Sequence, residues 1–225
     1  MNNLLANIKI AINENLFVKD PNSSDLGKKI IHHSVIMIEG IGYEAFTFRK
    51  LGQKIDSPEA SIYRYFESKN QLLAYLISWY WGWMEYRLVF ETANIASAEK
   101  RLEKSIAIIS NEMKEDMVVE DISIKKLHRI VICESSKSYL TKDVDKANKE
   151  GAYLNYKQFV SRIVLIIKEI NSGYKYPNML LSTIIEGAHL QVFFAEHLPR
   201  LTNVQKTEDY IAKFYTELAL KAIKK

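Results

Sequence analysis

The residues best equipped for recognition chemistry cluster between Ser57 and Leu73, in SPEASIYRYFESKNQLL. Tyr63 and Tyr65 bring hydroxyls, Arg64 a planar fork of donors, and Lys69 a compact ammonium. Ser57 is an N-cap residue followed by Pro58 at the first helical position. Ser68 is another, with Gln71 three residues on completing a capping box. The spacing leaves one short helix, about two turns long, between the two starts. Isolated helices under ~12 residues are marginal in water, so this one must be held by neighbours and present one outward face. Its N-terminal N–H groups and dipole suit a phosphate oxygen, and its outward side chains suit base edges. Other chemistries have no support in the sequence. There is no His/Cys metal spacing, phosphate loop, dinucleotide glycine motif or nucleophile–base constellation, so no enzyme, metal or cofactor is implied.

The elements around this stretch are helical. The 225 residues contain only 4 Pro and 8 Gly, and 48% are apolar. An apolar stripe of Ile30, Ile31, Val35 and Ile38 predicts a helix from Asp25 or Leu26 to about Glu39, stopped at Gly40 and Gly42. Thr47 can cap a second helix over about 48–55, with Leu51 and Ile55 facing inward. The third runs from Pro58 to about Phe66, with Ile62 and Phe66 on the core side. A tight turn joining two short helices makes a helix-turn-helix, whose second helix enters the major groove.

The stretch EAFTFRKLGQKIDSPEASIYRYFESKNQLL resembles the DNA-binding head of the TetR family of bacterial transcriptional regulators. Gly42, Tyr43, Phe46 and Thr47 match the family's entry motif, Leu51 its second helix, and Ile62, Tyr63, Phe66, Lys69, Leu72 and Leu73 its third and fourth. The resemblance implies phosphate contacts from Tyr63, Lys69 and Thr47, with Ala60, Ser61, Arg64 and Tyr65 reaching bases or adjacent phosphates. Arg49 and Ser57 complete the implied DNA-contacting set. Arg64 either reads guanine bidentately or holds a phosphate. Glu59 either accepts from a cytosine amino group or complements the helix dipole. The chain departs from the family at Gly52, where the family has Ala, and at Asp56–Ser57–Pro58, where it has Gly–Val–Ser. The head, 25–73, carries seven basic and six acidic residues, so binding depends on where the cations lie.

Helical periodicity predicts an all-α chain in three parts: an arm at 1–24, extended in places, the head at 25–73, and a second domain at 74–225 to which the resemblance assigns ligand binding and dimerisation. Alternating Ile8, Ile10 and Ile12 are a strand or hairpin signal in the arm. Further helices are expected over 98–115, 124–139, 149–170, 178–197 and 207–224. A fourth helix starting at Ser68 carries Trp79, Tyr80, Trp81, Trp83 and Tyr86, either as core or as the wall of an aromatic cavity. Trp79, Trp83, His128, Glu134, Glu186, His189 and Gln191 are the candidate ligand residues, between the fourth helix and the helices of 124–197. Leu180, Ile184, Ala188, Ile211, Tyr215, Leu218 and Ala222 are the candidate dimer residues, with ordinary intramolecular packing as the alternative.

The whole reading is a DNA-binding regulator that binds a palindromic double-stranded operator as a homodimer and answers to a hydrophobic small molecule. A repressor is the expected sign of control. The alternative is an all-helical small-molecule or partner-binding protein whose head does not read DNA. A single Cys, Cys133, and no membrane-length apolar run fit a cytoplasmic protein without a membrane partner.

Overall fold

After two 3-10 turns, Glu14–Leu16 and Pro21–Ser23, the first α-helix begins at Ser24, whose hydroxyl accepts from the Gly27 amide at 3.2 Å. The computed structural model describes residues 9–110, 117–204 and 209–224. Helix α1, Asp25–Ile41, buries Ile30, Ile31, Ser34, Val35 and Ile38 and ends where Gly42 turns to φ 77°. Such a value favours glycine. Thr47 caps α2, Phe48–Lys54, accepting from the Lys50 amide at 3.2 Å. Helix α3, Glu59–Tyr63, is shorter than its sequence suggests, and Pro58 rather than Ser57 is its N-cap residue, without a side-chain cap bond. Helix α4 spans Lys69–Thr92. Its capping box forms: Ser68 accepts from the Gln71 amide, and Gln71 reaches back to the Glu67 amide at 2.8 Å.

The chain then forms α5 (Ala98–Ser110), a two-stranded hairpin β1 (Val118–Val119) and β2 (Ile122–Ser123), α6 (Ile124–Glu134), α7 (Ser136–Tyr139), α8 (Val144–Lys149), α9 (Leu154–Ile170), α10 (Pro177–His197) and α11 (Tyr210–Ile223). The fold is all-helical, with the hairpin a minor addition. Two expected helices are divided. The one over 124–139 breaks at Ser135, and the one over 149–170 is interrupted at Gly151, with φ 84°. Positions 111–115 and 207–208 of the expected helices lie outside the described residues.

The residues fall into two compact units, Met1–Gly82 with Met113–Asn155, and Trp83–Glu112 with Tyr156–Lys225. In the first, α1 packs on α2 and α6, and α2 on α3. The hairpin turn Glu120–Asp121 takes φ values of 49° and 64° without a glycine. Trp79 Nε1 donates to Glu120 Oε2 at 2.9 Å, and the Asp121 carbonyl meets His32 Nδ1 at 2.7 Å. These contacts hold a conformation that disfavours both residues.

The expected strand in the arm does not form over 9–13; Ile8 lies outside the described residues. Alternation alone supplies no ladder partner. The Ala11 carbonyl is taken instead by Asn155 Nδ2 at 3.0 Å, and Ile10 seats against Gly82, where a Cβ would lie 2.5 Å from its methyl group. In the second unit α5 packs on α10 and α11, which also pack on each other. Gly187 lets Tyr215 approach: a Cβ there would stand 2.1 Å from the phenol oxygen.

Candidate nucleic-acid interface

On α3 the inward residue Ile62 is fully buried, as is Phe66 just beyond its end. The other face is open. Ala60, Tyr63 and Arg64 are exposed, and Glu59 and Ser61 are half-buried. The ring of Tyr63 rests edge-on against Phe48, with centroids 5.0 Å apart, yet the residue keeps 48% of its surface in solvent. An aromatic neighbour that fixes the ring while the side chain stays accessible suits a hydroxyl used as a phosphate donor. Thr47 and Arg49 are also exposed and Ser57 is half-buried. The Thr47 hydroxyl already accepts from Lys50, so its proton remains available to an anion.

Tyr65 is the exception among the expected contacts. It is 4% exposed, its hydroxyl is 2.7 Å from Ser24 Oγ, and its carbonyl accepts from the Val18 amide at 2.8 Å. Lys19 stands 5.2 Å from its ring centroid. Tyr65 therefore ties the arm to the head and does not reach bases. The departures at Gly52 and Asp56 belong together. Asp56 adopts φ 51°, and the Ser57 carbonyl then comes so close that a Cβ on Gly52 would sit 2.6 Å from it.

Lys69, at the first position of α4, is half-buried. Its ammonium donates to the Tyr43 carbonyl at 3.2 Å and lies 4.5 Å from the Tyr43 ring centroid. Tyr43 is buried, and its phenol is pushed up to about 12, first by burial and then by Glu44 and Glu134. It stays neutral at any ordinary pH and hydrogen-bonds Asn70 through its hydroxyl.

Residues 30–76 match the family of bacterial regulatory proteins, tetR family. Over these residues the head is similar to the DNA-binding domain of that family. The family consists of regulators, not enzymes. Two solved structures share the fold over most of both chains. One is AibR in complex with isovaleryl coenzyme A and operator DNA, at 15% identity and TM-score 0.56, over 85% of this chain and 97% of that one. The other is the superantigen PfiT, at 13% identity and TM-score 0.57, over 90% of this chain and 96% of that one. No curated protein matches the sequence.

Beyond the head, the candidate ligand residues divide between the two units. In the first, Trp79 is engaged with Glu120, and the buried His128 meets the Tyr80 hydroxyl through Nδ1 at 2.7 Å. Glu134 accepts from the Tyr43 amide at 3.1 Å. In the second, Trp83 and His189 are buried, Gln191 is half-buried and Glu186 is exposed. The Arg87 guanidinium lies 5.7 Å from the Trp83 ring. A cleft of about 760 Å³ lies elsewhere in the first unit, lined by the arm, Lys28, Tyr75, Glu120 and Asp121, and none of the seven lines it. No group of His, Cys, Asp and Glu among the described residues could hold a metal ion.

The candidate dimer stripe needs correction. Ile184, Ala188 and Tyr215 are buried inside the single chain, because they close the packing of α10 and α11. Leu180, Ile211 and Ala222 are half-buried, and Leu218 is exposed. The apolar residues left in solvent are instead Met179, Leu190 and Phe214, at 68%, 51% and 58% exposure, beside Leu218. Positions 179 and 190 are three turns apart on one face of α10, and 214 and 218 one turn apart on α11. That spacing was in the sequence, on the flank of the stripe first chosen.

Proposed function

We propose that this chain is a ligand-responsive transcriptional repressor that binds a palindromic operator as a homodimer. The observation that carries the reading is α3, buried on one side at Ile62 and open on the other at Ala60, Tyr63 and Arg64, with Thr47, Arg49 and Lys69 around it. Tyr63, Thr47, Arg49, Ser57 and Lys69 position the duplex through its phosphates, while Ala60, Ser61 and Arg64 read base edges and Glu59 biases the choice of base. The complex of AibR, a protein of like fold, with operator DNA supports DNA binding by this fold.

Dimerisation is assigned to α10 and α11, through exposed Met179, Leu190, Phe214 and Leu218 with the flanking Leu180, Ile211 and Ala222. Exposed apolar residues at helical spacing on two adjacent helices are the usual mark of an association surface. Two recognition helices then meet successive major grooves ~34 Å apart, about ten base pairs. The arm is 1–24, the DNA-binding domain 25–73 and the ligand-binding and dimerisation domain 74–225. The effector is a largely apolar small molecule, and the candidate contacts divide between the units, Trp79, His128 and Glu134 in the first and Trp83, Glu186, His189 and Gln191 in the second. It releases DNA by binding the released state more tightly. AibR's complex with an acyl coenzyme A supports a small-molecule effector for this fold. The setting is the cytoplasm; among the described residues no helix is long and apolar enough to cross a membrane.

The second reading is a partner-binding helical protein that does not use DNA. Two observations favour it: Asp56 and Glu59 place carboxylates beside α3, and PfiT, of like fold, is a superantigen. Selection of bound sequences from a random duplex library, followed by band shifts across a salt series, separates the two. Recovery of one inverted repeat with half-sites about ten base pairs apart supports the repressor. Recovery of no consensus, with weak binding that vanishes near physiological salt, supports the other.

A further inference from the structure

The turn between α1 and α2 carries Thr47 and lies beside Lys69, so whatever holds that turn sets the geometry of two phosphate contacts. Gly42 leaves α1 with a positive φ, and its amide makes the last bond of the helix, to Ile38. The next amide, Tyr43, has no backbone partner in that ladder. It donates to Glu134 Oε1 at 3.1 Å, a residue 91 positions away at the end of α6. The second Glu134 oxygen lies 2.7 Å from Lys137 Nζ, which in turn lies 3.0 Å from Glu44 Oε1. Lys137 also stands 5.6 Å from the Tyr43 ring centroid, and Lys69 4.5 Å from the same centroid. Tyr43 is thus gripped at its amide by Glu134, at its carbonyl by Lys69, at its ring by two ammonium groups and at its hydroxyl by Asn70.

A carboxylate that is only 9% exposed is expensive to bury without partners, and packing at that place would be served as well by an apolar residue. We infer that Glu134 and Lys137 are positioning residues for DNA binding, which fix the Tyr43–Thr47 turn and the Lys69 ammonium in the arrangement that meets the phosphate backbone. This rests on the repressor reading above. Glu134 orients the Tyr43 carbonyl through the amide of the same residue, and that carbonyl takes one of the three N–H donors of Lys69. The remaining donors serve a phosphate, which replaces the longer 3.5 Å approach of Lys69 to the Glu44 carbonyl. Lys137 has a second effect. It offsets one of the two negative charges of Glu44 and Glu134, carboxylates that would otherwise repel a phosphate beside Lys69 more strongly.

The test compares Glu134→Ala, Glu134→Gln, Lys69→Ala and the double variant Glu134→Ala/Lys69→Ala for operator affinity across a salt series. Glu134→Ala should weaken binding at least tenfold. Its log–log salt slope should become shallower by about 0.9, one phosphate's worth. The double variant should be no weaker than Lys69→Ala, because both changes remove the same contact. Glu134→Gln keeps an acceptor for the Tyr43 amide and should stay within a few-fold of wild type. A loss that adds to that of Lys69→Ala, at an unchanged slope, overturns the inference and leaves Glu134 merely structural. If Glu134→Ala does not fold, Lys137→Ala decides, at a side chain over a third exposed. It should weaken binding most at low salt, and an unchanged affinity overturns the inference. If the wild type binds no DNA, the repressor reading fails by itself, and hydrogen exchange at the Tyr43 amide judges the anchor. Exchange at least tenfold faster in Glu134→Ala but not in Glu134→Gln supports it; equal rates overturn it.

Discussion

Gly52→Ala tests whether the helix-turn-helix corner of this chain is built as the structure has it. In an open helical position the change would stabilise by about 1 kcal/mol, since alanine is the better helix former. Here the added Cβ would lie 2.6 Å from the Ser57 carbonyl oxygen and 3.4 Å from the Glu59 nitrogen. Both are backbone atoms, and the Ser57 amide is pinned to the Gly52 carbonyl at 2.9 Å, so the obstacle cannot rotate away. Relief means shifting the turn, at ~1–3 kcal/mol for overpacking and ~1 kcal/mol for the hydrogen bond it strains. Contact wins over propensity, and a net loss of about 1–3 kcal/mol is expected. At 2–4 °C per kcal/mol for a chain of this size, the melting temperature falls by about 2–12 °C. Adding Asp56→Gly, which removes the cost of φ 51° at a non-glycine residue, should return part of the loss by letting the turn relax. Thermal and urea unfolding followed by circular dichroism measure both. A melting temperature that rises in Gly52→Ala refutes the reasoning, for it would mean that the Ser57 carbonyl does not approach as described.

Three further outcomes are expected. Lys69→Ala and Tyr63→Phe should weaken binding to every operator variant alike, whereas Arg64→Ala should change base preference at one or two positions by ~1–3 kcal/mol; an equal loss across all variants in quantitative band shifts would make Arg64 a backbone contact. Phe214→Glu with Leu218→Glu should give a folded monomer by sedimentation and a much weaker operator complex; a persistent dimer would move the interface away from α11. Glu39 is pushed up by burial, but hydrogen bonds from Lys126 and Arg129 outweigh this and hold its carboxyl below the usual range. Its contribution is therefore present above the unfolded-state value and lost as pH falls through the lowered one, so Glu39→Gln should flatten the acid limb of stability against pH below about 4.3.

The legible parts of the fold were those punctuated locally. Gly42, Thr47 and the Ser68–Gln71 box each mark a helix end through a bond to a residue at most four positions away, and the match at 30–76 agrees with the head read from them. The misplaced parts depend on distant partners. Tyr65 looked like a contact because it lies beside Arg64, but its burial is decided by Val18, Lys19 and Ser24. The hairpin at Val118–Ser123 lacks the Asn-Gly or Asp-Gly turn that would announce it, and Trp79 and His32 hold its Glu120–Asp121 turn from elsewhere. The apolar stripe of α10 and α11 is wide, and periodicity alone does not say which flank turns inward. The contact between α10 and α11, with Tyr215 set against Gly187, answers that.

The same dependence on distant partners bears on the charge of the head. Residues 25–73 carry a net charge of only +1, little for a surface meant to meet phosphates. Two of their six acidic residues are paired from outside that segment, Glu39 in full and Glu44 by a lysine it shares with Glu134. Glu39 is paired with Lys126 and Arg129 of α6, and Glu44 with Lys137 of α7. With Glu39 matched, the unpaired balance within the head shifts toward its cations. Screening confines each exposed charge to about 8–10 Å, so what a phosphate meets is this local balance and not the sum over the segment. The remaining carboxylates nearest α3 are Asp56 and Glu59. Asp56 is tied to the turn geometry that Gly52 permits, and Glu59 opens α3, where a negative charge favours the helix dipole. In the proposed repressor, the local charge that a phosphate meets is therefore set by the first compact unit, in which residues 113–155 are grouped with the head, and a head cut off at Leu73 would lose Lys126 and Arg129, which mask Glu39.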